Sequence, residues 1–144
     1  MHAIPPIRKL MTPFPYSVDV EDDTAAAEAL MAEHDFRHLP VTRDGELAGI
    51  ITSRDIANYV RALDSSGQKQ QVAVRHVYRA DAYIVDMDTP LDDVLAAMAQ
   101  RHIGSALVTR KGRLAGVFTT TDLCRFVAAD LRDRFNPGDG NDAA

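Results

Sequence analysis

A chain of 144 residues, 46% of them apolar, suffices for one ordinary domain or for two small units sharing a core. A formal net charge of −5 without any run of basic residues excludes a nucleic-acid platform, which needs a basic face against phosphates. The single cysteine, Cys124, excludes an intrachain disulfide. The opening MHAIPPIRKL has no apolar core of signal-peptide length, and no apolar run approaches the roughly 20 residues of a membrane helix. The expectation is a soluble, cytoplasmic protein with neither nucleic acid nor membrane as partner.

YSVDV (16–20) is β-branched and aromatic and reads as a short strand. DDTAAAEALMAEH is Ala-rich and helix-prone. LPVT and ELAGIIT flank the turn RDG and predict a hairpin. A second helix follows, with Ile56, Tyr59, Val60 and Leu63 as its apolar stripe. DSSGQKQ, Asp64 to Gln70, is the polar linker.

The order then returns. YIVDM (83–87) is a strand. Thr89 is a candidate N-cap, Pro90 suits a first turn, and Asp92 completes a capping-box-like pattern. Leu91, Val94, Leu95 and Met98 fall on one helical face. ALVT, RKG and RLAGVFT predict a second hairpin, and Leu123, Phe126, Val127 and Leu131 stripe the closing helix. NPGDGNDAA is expected to be disordered.

The return is a duplication. Displaced by 67 positions, Ile7–Val60 overlies Val74–Val127 without a gap, and seventeen of the 54 pairs are identical. The predicted fold class is α+β, two tandem β-α-β-β-α units packed about a pseudo-twofold axis because neither can build a good core alone. The boundaries read as 1–63 for the first repeat, 64–70 for the linker, 71–135 for the second repeat and 136–144 for the tail.

The repeat writes one motif twice: LAGIITSRD ending at Asp55, and LAGVFTTTD ending at Asp122. Thr52 and Thr119 stand where a strand stops and a helix starts. The first amides of a helix carry partial positive charge and lack internal partners, so with the hydroxyl they suit an anion such as phosphate. Asp55 and Asp122, in the first turn, can accept hydrogen bonds from a vicinal diol. Gly49 and Gly116 would let a base or a backbone approach closely. The bland alternative stands beside this one. A threonine before a helix is commonly its N-cap, and an early aspartate commonly complements the dipole.

Two β-α-β-β-α units, each carrying glycine, two apolar residues, threonine, two variable residues and aspartate, resemble the CBS-domain pair, named after cystathionine β-synthase. The resemblance spans roughly Ile4 to Leu131. It implies a compact module with two pseudo-symmetric clefts for adenosine ligands: AMP, ADP or ATP, more rarely S-adenosylmethionine or a dinucleotide. By the same resemblance Thr52, Ser53, Arg54 and Asp55 in one repeat, and Thr119, Thr120, Thr121 and Asp122 in the other, would contact phosphate and ribose. Ser17 and Val18, with Ile84 and Val85, would give backbone and apolar contacts to adenine. Leu39–Pro40 and Ala106–Leu107 would flank the base. FRHLPV brings Arg37 and His38 near the first cleft, whereas IGSALV offers the second neither basic residue, so the clefts are expected to be unequal.

His34 and His38 are four apart, but a helix end is expected between them and no third ligand is evident, so no metal site is read there. Cys124 reads as a small packed residue, and Met31 and Met98 as core. Nothing assembles a nucleophile with its base. The function expected is therefore non-catalytic: a stand-alone regulatory module that binds AMP, ADP or ATP as ligand, forms a homodimer and acts on a separate partner. The rival is a structural dimerisation module with vestigial clefts.

Overall fold

The structure is a computed structural model and describes residues 3–13, 16–65 and 71–136. The first copy runs β1 (Thr12–Pro13), β2 (Val18–Asp19), α1 (Thr24–His34), β3 (His38–Arg43), β4 (Glu46–Thr52) and α2 (Ser53–Ser65). The second runs β5 (Ile84–Asp86), α3 (Leu91–Arg101), β6 (Ser105–Arg110), β7 (Arg113–Thr119) and α4 (Thr120–Phe135). A short 3-10 turn opens each copy, Ile7–Lys9 and Val74–His76.

Each hairpin closes on two residues of positive φ, Asp44–Gly45 (53° and 81°) and Lys111–Gly112 (51° and 79°). Such a turn matches the twist of the strands it joins. In each copy a parallel strand completes the sheet: β2 beside β3, and β5 beside β6. Ala27 and Met31 of α1, and Val94 and Met98 of α3, are buried against these sheets. Left-handed caps at Asp35 and His102 stop the two helices, so a helix does end between His34 and His38. The cap of α3 is Pro90 rather than Thr89, without a side-chain bond, and Leu91 opens the helix.

The opening segment of each copy docks on the other copy. Ile7 N–H donates to Thr89 O (2.8 Å) and Arg8 N–H to Met87 O (3.0 Å). Their counterparts, Val74 N–H and Arg75 N–H, donate to Asp22 O and Val20 O. β1 then pairs with β7, giving a sheet ordered β1-β7-β6-β5, while Arg79 bridges to Ile50 at the edge of the β2-β3-β4 sheet. Gly49 and Gly116 serve this exchange. A Cβ on Gly49 would collide with the Arg79 carbonyl oxygen, and one on Gly116 would lie 2.6 Å from the Thr12 carbonyl oxygen. Of the two approaches considered for these glycines, it is backbone that comes close.

Three expectations change. α2 continues through Ser65, so Asp64 and Ser65, read as linker, are helical, because nothing in DSS breaks the last turn; positions 66–70 lie outside the described residues. Cys124 is exposed, since it falls off the face of α4 that meets the sheet. The predicted stripes are only partly used internally: Ile56 is buried, but Phe126, Val127 and Leu131 remain 38%, 41% and 50% exposed. The tail from 137 also lies outside the described residues. Among the described residues no helix is long and apolar enough to cross a membrane.

Candidate functional site

β4 and β7 deliver Thr52 and Thr119 to the line along which the copies meet, and α2 and α4 start there. Two cavities open beside these helix starts. The first, about 520 Å³, is walled by Thr52, Ser53, Arg54 and Asp55, by Arg79 of the exchanged segment, and by Ala82–Tyr83 and Ile103–Ser105 of the second copy. The second, about 440 Å³, is walled by Thr119, Thr120, Thr121, Asp122 and Arg125, by Thr12 of the other exchanged segment, and by His34–His38 of the first copy. Each helix start thus faces the loop of the opposite repeat. Arg37, His38 and Thr120 line both cavities, so the basic pair expected beside one cleft is a wall common to the two.

The helix amides are largely occupied. Ser53 N–H donates to Arg37 O (3.0 Å) and Thr120 N–H to Gly104 O (3.1 Å). Asp55 N–H donates to Thr52 Oγ1 (3.0 Å), and the Asp122 N–H is held likewise by the Thr119 hydroxyl. The first and third amides of both helices are satisfied inside the protein. The anion nest expected from the sequence is correspondingly smaller.

The two aspartates differ. Asp122 Oδ2 accepts the Thr119 N–H at 2.9 Å and its Oδ1 accepts the Thr12 hydroxyl at 3.0 Å, a complete capping box with an extra tie. The helix-cap reading accounts for this residue. Asp55 Oδ1 accepts from the Arg79 guanidinium at 3.2 Å, but Oδ2 is buried with no donor in range among the described residues. Capping does not account for that oxygen, and an orphaned buried acceptor is costly.

His38 has a pKa lowered from 6.5. Burial disfavours its cation most, Asp55 partly offsets this, and Arg37 adds to it. At the rim of the second cavity Tyr16 stacks on His34 (centroids 4.2 Å apart), and His34 stacks on Phe36 (5.5 Å). The pseudo-symmetric pair is Arg101 over the Tyr83 ring at 4.9 Å. Among the described residues no group of three or more His, Cys, Asp or Glu could hold a metal ion.

Eight of the residues expected to touch ligand line neither cavity. Leu39, Ala106 and Leu107 are 0%, 1% and 0% exposed, and Pro40, Val18 and Val85 are also buried. β3 and β6 are inner strands, and these side chains fill the core instead of facing a cleft. Ser17 and Ile84 are exposed outside both cavities. Conversely, Thr12, Arg79, Arg125 and His34 were not expected in the clefts, and Ile103–Ser105 of IGSALV, expected beside the second cleft, line the first. Arg79 and Thr12 are aligned by the 67-residue offset, but no feature of either residue marks it as a wall of the site.

The model of the CBS domain matches residues 7–62 and again 74–129. The chain belongs to the CBS-domain family. This CBS pair is 27% identical over 117 residues to the CBS domain-containing protein YhcV of Bacillus subtilis, covering 81% of each chain. It is 25% identical over 108 residues to the uncharacterized protein MJ1232 of Methanocaldococcus jannaschii, and this match covers 74% of the chain but only 34% of MJ1232. In fold it is similar to the CBS domain pair of protein MJ0100, solved in complex with 5′-methylthioadenosine and S-adenosyl-L-methionine. That likeness has a TM-score of 0.78 and 23% identity, and covers 89% of this chain and 99% of that one. CBS-domain pairs generally act as regulatory ligand-binding modules.

Proposed function

We propose that this CBS pair is a non-catalytic regulatory module that binds an adenosine nucleotide, AMP or else ADP or ATP, and passes its occupancy to a separate partner protein. The observation that carries the reading is Asp55 at the wall of a cavity of about 520 Å³, with its Oδ1 on Arg79 and its Oδ2 shielded from solvent and without a hydrogen-bond partner among the described residues. A buried carboxylate oxygen needs a donor, and a ribose diol supplies two. The volume suits a small-molecule ligand. Arg37, Arg54 and Arg79 surround the same cavity and favour a phosphate. Carboxylate, hydroxyl and guanidinium groups meet here, a set that binds and orients. The adenosine compounds in the MJ0100 complex are of the same class. The Thr119–Asp122 cleft ranks second, because the groups that would read a ribose there are already paired with one another.

A homodimer is part of the proposal. Phe126, Val127, Leu131 and Phe135 expose apolar surface along α4, and Val60 does so on α2. The rival reading, a dimerisation module with empty clefts, draws on the self-satisfied Asp122. Calorimetric titration with AMP, ADP, ATP and S-adenosylmethionine decides between the two. We expect saturable binding of at least one, with the tighter site lost in Asp55→Ala. Absence of binding by all four would leave the structural module.

A further inference from the structure

The two clefts differ at Arg79. Its counterpart 67 positions earlier is Thr12. Both lie on the exchanged segments, and each meets the aspartate of its cleft: the Thr12 hydroxyl donates to Asp122, and the Arg79 guanidinium to Asp55. The backbone of Arg79 is fixed. Its N–H donates to Ile50 O at 2.8 Å and its carbonyl accepts the Ile50 N–H at 3.0 Å, over a Gly49 that leaves no room for a side chain. Its side chain is 64% exposed, whereas that of Asp55 is only 14% exposed. A long, largely solvated arm therefore pivots from a rigid base and rests on a carboxylate within the cavity wall.

A vicinal diol uses both oxygens of a carboxylate. Asp55 Oδ2 is shielded from solvent and without a partner among the described residues, and Oδ1 is held by Arg79. A ribose hydroxyl that takes up Oδ1 competes with the guanidinium for that oxygen, and a displaced cation then needs another anion. An uncharged nucleoside offers none. A phosphate on the same ligand does, with charge-assisted and potentially bidentate hydrogen bonds. We propose that Arg79 is a ligand-displaced latch that makes the Thr52–Asp55 cleft selective for phosphorylated nucleosides over free nucleosides. The inference rests on the nucleotide reading above and goes beyond it by naming the residue that sets selectivity. Thr12 carries no charge to relocate; the cation at Asp122 is Arg125, farther off at 3.8 Å and on α4 itself, so in the Thr119–Asp122 cleft no charged side chain of an exchanged segment holds the aspartate.

The test is calorimetric titration of the full chain with AMP and with adenosine, in wild type and in Arg79→Gln. The glutamine keeps a donor for Asp55 and removes the charge. Wild type should prefer AMP by about tenfold or more, one charge-assisted contact. In Arg79→Gln the preference should shrink to about threefold or less, because AMP loses the cation and a neutral amide yields Oδ1 to adenosine more readily than a guanidinium does. A measurement needing no variant is adenosine binding to wild type in the presence of inorganic phosphate. Phosphate that draws Arg79 away should tighten adenosine binding about threefold, in the manner of linked equilibria. An unchanged preference in Arg79→Gln, or no effect of phosphate on adenosine binding to wild type, overturns the latch while leaving nucleotide binding intact. Failure of both AMP and adenosine to bind wild type removes the nucleotide reading, and the latch with it.

Discussion

The hydroxyl of Thr12 donates to Oδ1 of Asp122 at 3.0 Å, across 110 positions of sequence. This bond ties the exchanged opening segment of the first copy to the capping box of α4 in the second. Asp122 therefore joins a helix start, a strand end and an inter-repeat strap.

Asp122→Ala should for that reason act mainly on stability. It removes the acceptor for the Thr119 N–H and for Thr12, a loss of about 1–3 kcal/mol on the usual scale of caps and part-buried hydrogen bonds. Thr12→Val, which removes one of these bonds and keeps the shape, should lose less, about 1 kcal/mol. Urea titration checks both. A stability unchanged in Asp122→Ala would mean that the capping box is not held in solution.

The duplication and its hairpins were legible because they have strong local signals: a gapless 67-residue offset, and the turns RDG and RKG between apolar runs. The exchange of opening segments was not. It is carried by three-residue turns at Ile7–Lys9 and Val74–His76 and by the two-residue strand β1, too short for any periodicity. Arg79 and Thr12 enter the clefts only through that exchange, so no reading confined to one repeat could find them. Leu39, Pro40, Ala106 and Leu107, expected beside a base, have buried side chains. An apolar run shows that a strand is covered, but not whether core or ligand covers it. The threonine–aspartate motif was visible at once. Its division into a self-satisfied Asp122 and an unsatisfied Asp55 depends on neighbours far away in sequence.

Gly49→Ala should be more damaging than its size suggests. The added methyl collides with backbone, the Arg79 carbonyl oxygen, and not with a movable side chain. The strap must lift or β4 must distort, at a loss of about 1–3 kcal/mol, the range for overpacking. Gly116→Ala should behave likewise against Thr12. The expected result is a lower urea midpoint in both variants, with Gly49→Ala also weakening AMP binding because Arg79 is displaced. Wild-type midpoints in both would contradict the close strap packing.

His38 predicts a pH dependence of stability. Its folded pKa lies below 6.5, chiefly from burial, with Asp55 opposing and Arg37 reinforcing. Below pH about 6.5 the unfolded chain binds a proton at this residue that the folded chain does not. Unfolding therefore takes up protons, and the stability present above pH 6.5 is lost as pH falls through the folded pKa. Thermal melts at about pH 7.5 and about pH 5.5 should show a larger drop for wild type than for His38→Gln, which has no proton to bind. Equal drops would remove His38 as the source. An anion bound beside His38 should favour its protonated form and reduce the drop.

The exposed residues of α4 carry the dimer proposal. Leu131, 50% exposed, and Phe135, 73% exposed, continue the line of Phe126 and Val127 along one helix. Leu131→Asp places a charge in that surface while leaving the buried core untouched. Sedimentation at micromolar concentration should show a dimer for wild type and a monomer for the variant, with unchanged circular dichroism. A wild-type monomer at all accessible concentrations would end the proposal.

The nucleotide reading itself turns on Asp55. If its carboxylate accepts the ribose hydroxyls, Asp55→Ala should weaken AMP binding by about 10- to 100-fold, the equivalent of charge-assisted hydrogen bonds worth roughly 1.5–3 kcal/mol. Asp122→Ala should change the same affinity far less, because that carboxylate is committed to Thr119 and Thr12. A deoxyribose ligand probes the contact from the other side without altering the fold. 2′-Deoxy-AMP should bind wild type about tenfold more weakly than AMP, and should lose this disadvantage in Asp55→Ala, where there is no carboxylate to miss the hydroxyl. Measuring both ligands on both proteins gives a double-mutant cycle whose coupling isolates the diol–carboxylate contact from any general loosening of the cleft. A coupling near zero, with both proteins treating AMP and 2′-deoxy-AMP alike, would make Asp55 a partner of Arg79 alone and leave the ribose without a reader in this cleft.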